Sequence, residues 1–227
     1  MAGIASAGLV AASLVLAAPA SARDVINGTG GDDRLRGTPF SDTIRGFGGR
    51  DVVQALAGAD LIFGGSGVDV VNGHRGDDTI HGGTTRDFLD GNRGDDTLFG
   101  GGGSDDIYGD LGGGRGDDII YGGTDGDADI HGGGGDDTIY GGAGGDVMFG
   151  EVGSDVLFGG GEGDVIYDSP GADTIHGGPG HDLIILAKDG TADTVHCGTG
   201  HDVVYGATPG ENTIAADCEE VHVGYPQ

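Results

Sequence analysis

Residues 73–99 read GHRGDDTIH, GGTTRDFLD, GNRGDDTLF, three nonapeptides in one register. An aspartate stands sixth in each (Asp78, Asp87, Asp96), and a large apolar residue follows two places later (Ile80, Leu89, Leu98). Outward from this stretch the spacing of nine holds unbroken from Asp33 through Asp42, Asp51, Asp60 and Asp69, and on to Asp105. Leu35, Ile44, Val53, Ile62, Val71 and Ile107 complete the apolar series. A fixed short period marks a solenoid, in which each repeat is a unit that buries its apolar face only against its neighbours.

Positions 7 to 9 of the repeat are rich in Thr, Val, Ile, Phe and Tyr, the residues that strands prefer. They alternate outward, inward, outward, so position 8 is the core position. Positions 1 to 6 must reverse the chain, and glycine enters the positive-φ region without penalty. Extra residues occur around Gly112–Arg115, within Thr124–Asp129 and around Ala187–Ala192, and the apolar position resumes after each, at Ile120, Ile130 and Val195. Two nonapeptides complete one coil, so residue i stacks on residue i+18 about 4.8 Å away. The expected fold is all-β, a parallel β-roll or β-helix solenoid with two nonapeptide repeats per coil and about ten coils.

Composition narrows the chemistry. Of 227 residues 55 are glycine, and 38 acidic residues face 10 basic ones for a formal charge of −28. Glycine loses the most freedom on folding, and such a charge drives a compact state apart unless something neutralises it. Nucleic acid is excluded as a partner by the sign of the charge. Divalent cations are the natural counterpart. Stacked coils bring Asp33 near Asp51 and Asp42 near Asp60, beside turns whose carbonyl oxygens no side chain shields. Calcium takes six to eight hard oxygens in irregular geometry, whereas magnesium keeps its waters and demands an octahedron. Nitrogen and sulfur donors are too sparse in these turns for zinc or copper. The competing reading, that the aspartates only shape Asx turns, does not explain why Asn and Ser rarely replace them.

The pattern resembles the haemolysin-type, or repeats-in-toxin (RTX), calcium-binding nonapeptide proteins, G-G-x-G-x-D-x-U-x with U a large apolar residue. The resemblance runs from about Gly28 to Tyr205. It implies a β-roll with calcium held between successive turns by position-6 aspartates and turn carbonyls. The expected ligands are Asp33, Asp51, Asp60, Asp69, Asp78, Asp96, Asp105, Asp118, Asp127, Asp137, Asp146, Asp155, Asp164, Asp173, Asp182, Asp193 and Asp202. Asp42 and Asp87 are expected to bind poorly, because Thr38-Pro39-Phe40 and Thr85-Arg86 replace turn glycines, and Asp168-Ser169-Pro170 opens another weak turn. The strongest sites are expected at Asp78/Asp96 and Asp146/Asp164. Ala128, between Asp127 and Asp129, reads as the one repeat without its aspartate. Asp125-x-Asp127-x-Asp129 imitates the start of an EF-hand loop, but Ile130 stands where that loop needs glycine.

Residues 1–22 carry no charged side chain and end in Ala20-Ser21-Ala22, a small-x-small cleavage pattern, though without the usual positive n-region. The expected organisation is a cleaved signal peptide at 1–22, the calcium-binding β-roll at 23–205 and a C-terminal cap at 206–227. The product is then secreted, with no stable membrane insertion. Cys197 and Cys218 lie about one coil apart and fit a disulfide in an exported protein. No Gly-x-Ser-x-Gly, His-Glu-x-x-His or CxxC motif is present, and no enzyme is expected. Position 9 is often aromatic or histidine (Phe63, His81, Phe99, Tyr121, Tyr140, Phe158, His176, His196). Two readings stay open for that column: packing between strands, or a grip on an extracellular polysaccharide or cell-surface partner. Thr38, Thr84 and Thr124 are too scattered to form an ice-binding face.

Overall fold

The computed structural model describes residues 13–16, 23–208 and 210–224. The remainder of the expected signal peptide, 1–12 and 17–22, lies outside them. Each repeat contributes one short strand that begins at position 7, as in Thr79–Thr84 and Thr97–Gly102. Its burial runs half-buried, buried, half-buried across positions 7 to 9, which is the period-2 alternation of a strand with one face in the core. Consecutive strands go to opposite sheets. Among the described residues one sheet holds 12 strands and the other 11, and every neighbouring pair is parallel.

The two sheets face each other across a core one residue thick on each side. Val53, Val71, Leu89, Ile107, Ile130 and Met148 form one column, and Ile62, Ile80, Leu98, Ile120, Ile139 and Leu157 the other, all fully buried. Register follows the eighteen-residue step, Ile62 on Ile80 and Ile80 on Leu98. The insertions leave it intact: Leu98 stacks on Ile120, Ile107 on Ile130 and Ile175 on Val195. Extra residues therefore bulge from the turns, where no ladder constrains them.

Positions 2 and 4 of most turns have positive φ, as at Gly65 (φ 117°) and Gly67 (φ 110°). Phe47, His74 and Asn92 adopt the same conformation at position 2 (φ 75–77°), a strained region for bulky residues. The stacked neighbours above and below hold them there.

Three details differ from expectation. The solenoid has about eleven coils, because the ladder starts one repeat earlier, at Asp24-Val25-Ile26-Asn27, whose strand pairs with Thr43–Gly48. The last segment keeps the register: Val221 stacks on Val204, and Glu219 stands in for the aspartate by accepting the Asp202 N–H at 2.9 Å. The repeat at Ala128 does carry its aspartate. Asp127 occupies the ladder position, accepting the Asp105 N–H at 2.7 Å, and Ala128 is the extra residue after it. At the other end the backbone of Ser13–Leu16 pairs with Asp33–Arg36.

Candidate metal centres

From Asp42 to Asp202 the turns share one arrangement. One oxygen, Oδ1, accepts the backbone N–H of the aspartate one coil below. Asp60 donates to Asp78 at 2.7 Å, Asp78 to Asp96 at 2.6 Å, Asp146 to Asp164 at 2.9 Å, and Asp96 to Asp118 at 2.7 Å across the four-residue insertion. These bonds lock the carboxylates into two continuous columns, one per line of turns, and Asp51 through Asp202 are almost wholly buried.

The second oxygen, Oδ2, points into its own turn. It is buried without any hydrogen-bond donor at Asp51, Asp60, Asp69, Asp78, Asp87, Asp96, Asp105 and Asp118, and likewise at Asp127, Asp137, Asp146, Asp155, Asp164, Asp173, Asp182 and Asp202. Buried polar atoms without partners are rare in native proteins, and each calls for an explanation. Beside most of these Oδ2 atoms lies a position-1 glycine; Ala55, Asp168 and Cys197 take that place in the turns of Asp60, Asp173 and Asp202. A Cβ on Gly46 would sit 2.2 Å from Asp51 Oδ2 and 2.4 Å from the Gly64 carbonyl oxygen of the next coil. On Gly141 it would sit 2.3 Å from Asp146 Oδ2 and 2.5 Å from Gly159 O. A carboxylate oxygen and a carbonyl oxygen thus converge on one point with no proton between them. At these glycine turns the cradle is made of hard oxygens, with no side chain at position 1 to fill it. That donor set suits calcium and gives softer metals nothing to prefer.

The electrostatics agree. Burial, and then the charge of the stacked neighbours, pushes the carboxyl groups far above their ordinary range: to about 7 for Asp60, Asp78 and Asp146, about 8 for Asp137 and about 9 for Asp96. The hydrogen bond from the coil below opposes the shift without cancelling it. A cation between the turns would remove the cause.

The expected ligands do not all look alike. Asp33 Oδ2 already accepts the backbone N–H and hydroxyl of Thr29, at 2.5 and 2.9 Å. Asp42 Oδ2 is held the same way by Thr38, at 2.6 and 2.9 Å. Asp33 and Asp42 thus have their second oxygens held by threonine, unlike the interior aspartates. Asp87, expected to be weak, has the same unpartnered Oδ2 as its neighbours. Asp193 Oδ2 accepts from the Asn212 side-chain amide. The EF-hand-like run does not converge: Asp127 faces its turn, while Asp129 lies on the outer face, accepting from Tyr108 Oη at 2.6 Å and pairing with His131 Nε2 at 2.7 Å. Of the buried acids outside the nine-residue series, Asp90, Asp110 and Asp168, the sequence singles out only Asp168, as the opening of a weak turn.

The outward rings form a continuous stack from Phe63 through His81, Phe99, Tyr121, Tyr140, Phe158 and His176 to His196, with centroids 4.6–5.0 Å apart and planes within 2–6°. Each ring covers the faces of its neighbours, so the column shows solvent its edges. Cys197 and Cys218 are disulfide-bonded, their Cα atoms 5.1 Å apart, and tie the last full coils together.

Known proteins point the same way. The family model for the RTX calcium-binding nonapeptide repeat (4 copies) matches residues 27–62, 45–80, 81–112, 113–128, 123–157 and 158–187. Among solved structures, the chain is similar to the X-ray crystal structure of a hyperactive, Ca2+-dependent, β-helical antifreeze protein from an Antarctic bacterium. The identity is 18% and the TM-score 0.51, over 92% of this chain and 81% of that one. At that identity the likeness speaks for the fold alone. No curated protein matches the chain significantly. The family match runs from residue 27 to residue 187, which takes in most of the turns whose aspartates lack a donor, and the chain belongs to the RTX calcium-binding nonapeptide-repeat family.

Proposed function

We propose that this is a secreted protein whose solenoid is closed by calcium bound between stacked turns, so that binding free energy is folding free energy. The buried Oδ2 atoms that have no donor carry this reading. The ligands are Asp51, Asp60, Asp69, Asp78, Asp87, Asp96, Asp105, Asp118, Asp127, Asp137, Asp146, Asp155, Asp164, Asp173, Asp182 and Asp202, each with carbonyl oxygens of its own and the adjacent turn. At Asp33 and Asp42 the N–H and hydroxyl of Thr29 and Thr38 take the oxygen a cation would use.

The proposed organisation is a signal peptide removed after Ala22, a calcium-binding β-roll over 23–205 and a C-terminal segment, 206–227, fastened by the disulfide. Extracellular calcium modules bind at about 10⁻⁴–10⁻³ M, which defers folding until after export. No helix among the described residues is long and apolar enough to cross a membrane. A polysaccharide partner draws little support from the aromatic column, since sugars stack on ring faces and those faces are already covered by other rings. No catalytic role is proposed.

Calcium titration of the purified metal-free protein, followed by circular dichroism and by equilibrium dialysis, tests the assignment. The β signal should rise together with the uptake of many ions per chain. A chain that takes up none, or that binds them with no gain of structure, refutes it.

A further inference from the structure

The turn formed by Asp168-Ser169-Pro170-Gly171-Ala172-Asp173 departs from the others at its first position, where an aspartate replaces the usual glycine. In ordinary turns this is the cradle a Cβ would fill. Here the occupant brings a second carboxylate into it. Asp168, Asp173 and Asp193 each place a carboxylate oxygen within 4.8 Å of the others, and their exposures are 9, 2 and 1%.

The hydrogen bonds around the three are few. Asp168 Oδ2 accepts the Ala187 N–H at 2.7 Å, and Asp173 Oδ1 accepts the Asp155 N–H at 2.7 Å. Asp193 Oδ1 accepts the Asp173 N–H at 3.2 Å, and its Oδ2 accepts from Asn212. Asp168 Oδ1 and Asp173 Oδ2 are left buried with no donor. A regular nine-residue turn offers one such oxygen and the longer Asp110–Asp118 turn three; this one offers two, and among the described residues only here do three carboxylates, one from the next coil, lie within 4.8 Å of one another. Burial and the negative neighbours drive the Asp168 carboxyl strongly upward, the response of an acid crowded by others. The two-residue insertion above, Ala187–Ala192, widens the next turn: Gly171 is held there by the Asp189 side chain and by the Thr191 hydroxyl.

Affinity at oxygen-donor calcium sites is tuned by the number of charged ligands and by the rigidity of the cage. We propose that Asp168, Asp173 and Asp193 form a distinct, tighter calcium site that fills before the rest of the ladder, with Asp168 as the ligand that sets it apart. The inference rests on the calcium reading above. It has a consequence for assembly. Asp193 is bonded to Asn212, and Gly177, in the next turn along the chain, lies against the Cys197 carbonyl. An ion at Asp168 therefore fixes the coils beside the disulfide.

Calorimetric calcium titration of the full protein separates the possibilities, using wild type, Asp168→Asn, Asp168→Gly and Asp146→Asn. The wild type should show one tight ion ahead of a weaker class. Both Asp168 variants should lose that ion's distinction, its affinity falling at least tenfold, while Asp146→Asn keeps it. Asp168→Gly supplies the glycine that neighbouring turns carry, so its β signal at saturating calcium should match the wild type and exclude misfolding as the cause. A tight ion that survives both Asp168 substitutions overturns the proposal, as does a wild type that binds calcium in a single affinity class. A wild type that binds no calcium overturns the ladder assignment as well.

Discussion

The first two turns and the interior turns share one backbone plan but treat their carboxylates oppositely. At Thr29 and Thr38 the position-2 N–H and hydroxyl turn inward and satisfy Asp33 and Asp42 Oδ2. In the interior, position 2 adopts positive φ, and its N–H points to the coil above, as Asn92 does toward the Gly109 carbonyl at 2.7 Å. The fold can therefore supply its own donors, and the interior turns decline to. In these two turns threonine takes the oxygen a cation would use. The unpartnered oxygens of the interior are thus a feature of those sequences rather than a by-product of the solenoid.

The largest contrast should appear on removing calcium. In metal-free buffer at pH 8 the interior columns hold many buried carboxylates within one coil of each other, and the two threonine-capped turns are too few to keep the rod folded. Circular dichroism should show loss of the β signal, and small-angle scattering an expanded chain. A compact β rod that persists in metal-free buffer at pH 8 would show that the capped turns, not the ions, govern stability.

Next in size is a steric test. Gly141→Ala places a methyl 2.3 Å from Asp146 Oδ2 and 2.5 Å from Gly159 O, whereas a Cβ on Gly30, in the first turn, meets nothing within 4 Å. Overpacking of this kind costs about 1–3 kcal/mol, and the calcium-bound protein should also give up at least one ion. Gly30→Ala should stay within about 0.5 kcal/mol, as surface substitutions do. Thermal unfolding in saturating calcium reads both. Equal effects from the two would mean that position 1 is not a ligand cradle.

How far the sequence disclosed this depends on which part is asked about. The period in residues 73–99 fixes coil size, core columns and register, because a nine-residue repeat with one buried side chain admits few arrangements. The disulfide followed from the same stacking. The division of each carboxylate into a bonded Oδ1 and an orphaned Oδ2 was not legible, since it depends on which N–H groups the coil below presents. Thr38 reads as a poor glycine, and the role of Thr29 and Thr38 as donors appears only in three dimensions. An inserted residue follows Asp127, so counting back from Ile130 lands on Ala128 and the repeat looks as if it lacked its aspartate, although Asp127 stands among the expected ligands. Glu219 was missed because a longer side chain does the work of aspartate from the same register.

Proton binding should follow the raised carboxyl groups. In the folded, metal-free state Asp60, Asp78 and Asp146 titrate near 7 and Asp69 near 6, whereas unfolded aspartates titrate near 3.8. Between these values the folded chain holds more protons than the unfolded one, so stability falls as pH rises. The contribution is complete below about pH 4 and is lost through about pH 6 to 7. Metal-free protein should therefore regain β structure on acidification from pH 8 to 5. Calcium affinity should run the other way, strengthening with pH, and ion binding near neutrality should release protons. Spectra of calcium-stripped samples across that range, with pH-stat titrations, check both directions. A metal-free fold equally unstable at pH 5 and 8 would remove carboxylate repulsion as the reason the ladder needs an ion.

The finest test sets single carboxylates from the two regions against each other. Asp146→Asn takes one negative ligand from an interior cradle; in calcium it should lower the bound ions by about one and destabilise the rod. Without calcium the same change removes a buried group whose charge is costly there, so the metal-free state should gain stability. The sign of the effect reverses with the ion. Asp42→Asn alters an oxygen that accepts two Thr38 hydrogen bonds, and hydrogen bonds to charged groups contribute about 1.5–3 kcal/mol each at most. Asparagine keeps an acceptor in place, so the loss should be about 1 kcal/mol, of the same sign with and without calcium, and with no change in ion count. Equilibrium dialysis gives the stoichiometry and urea unfolding the stability. If Asp42→Asn also reverses sign, Thr38 does not displace a cation, and the distinction between end and interior turns fails at its first residue.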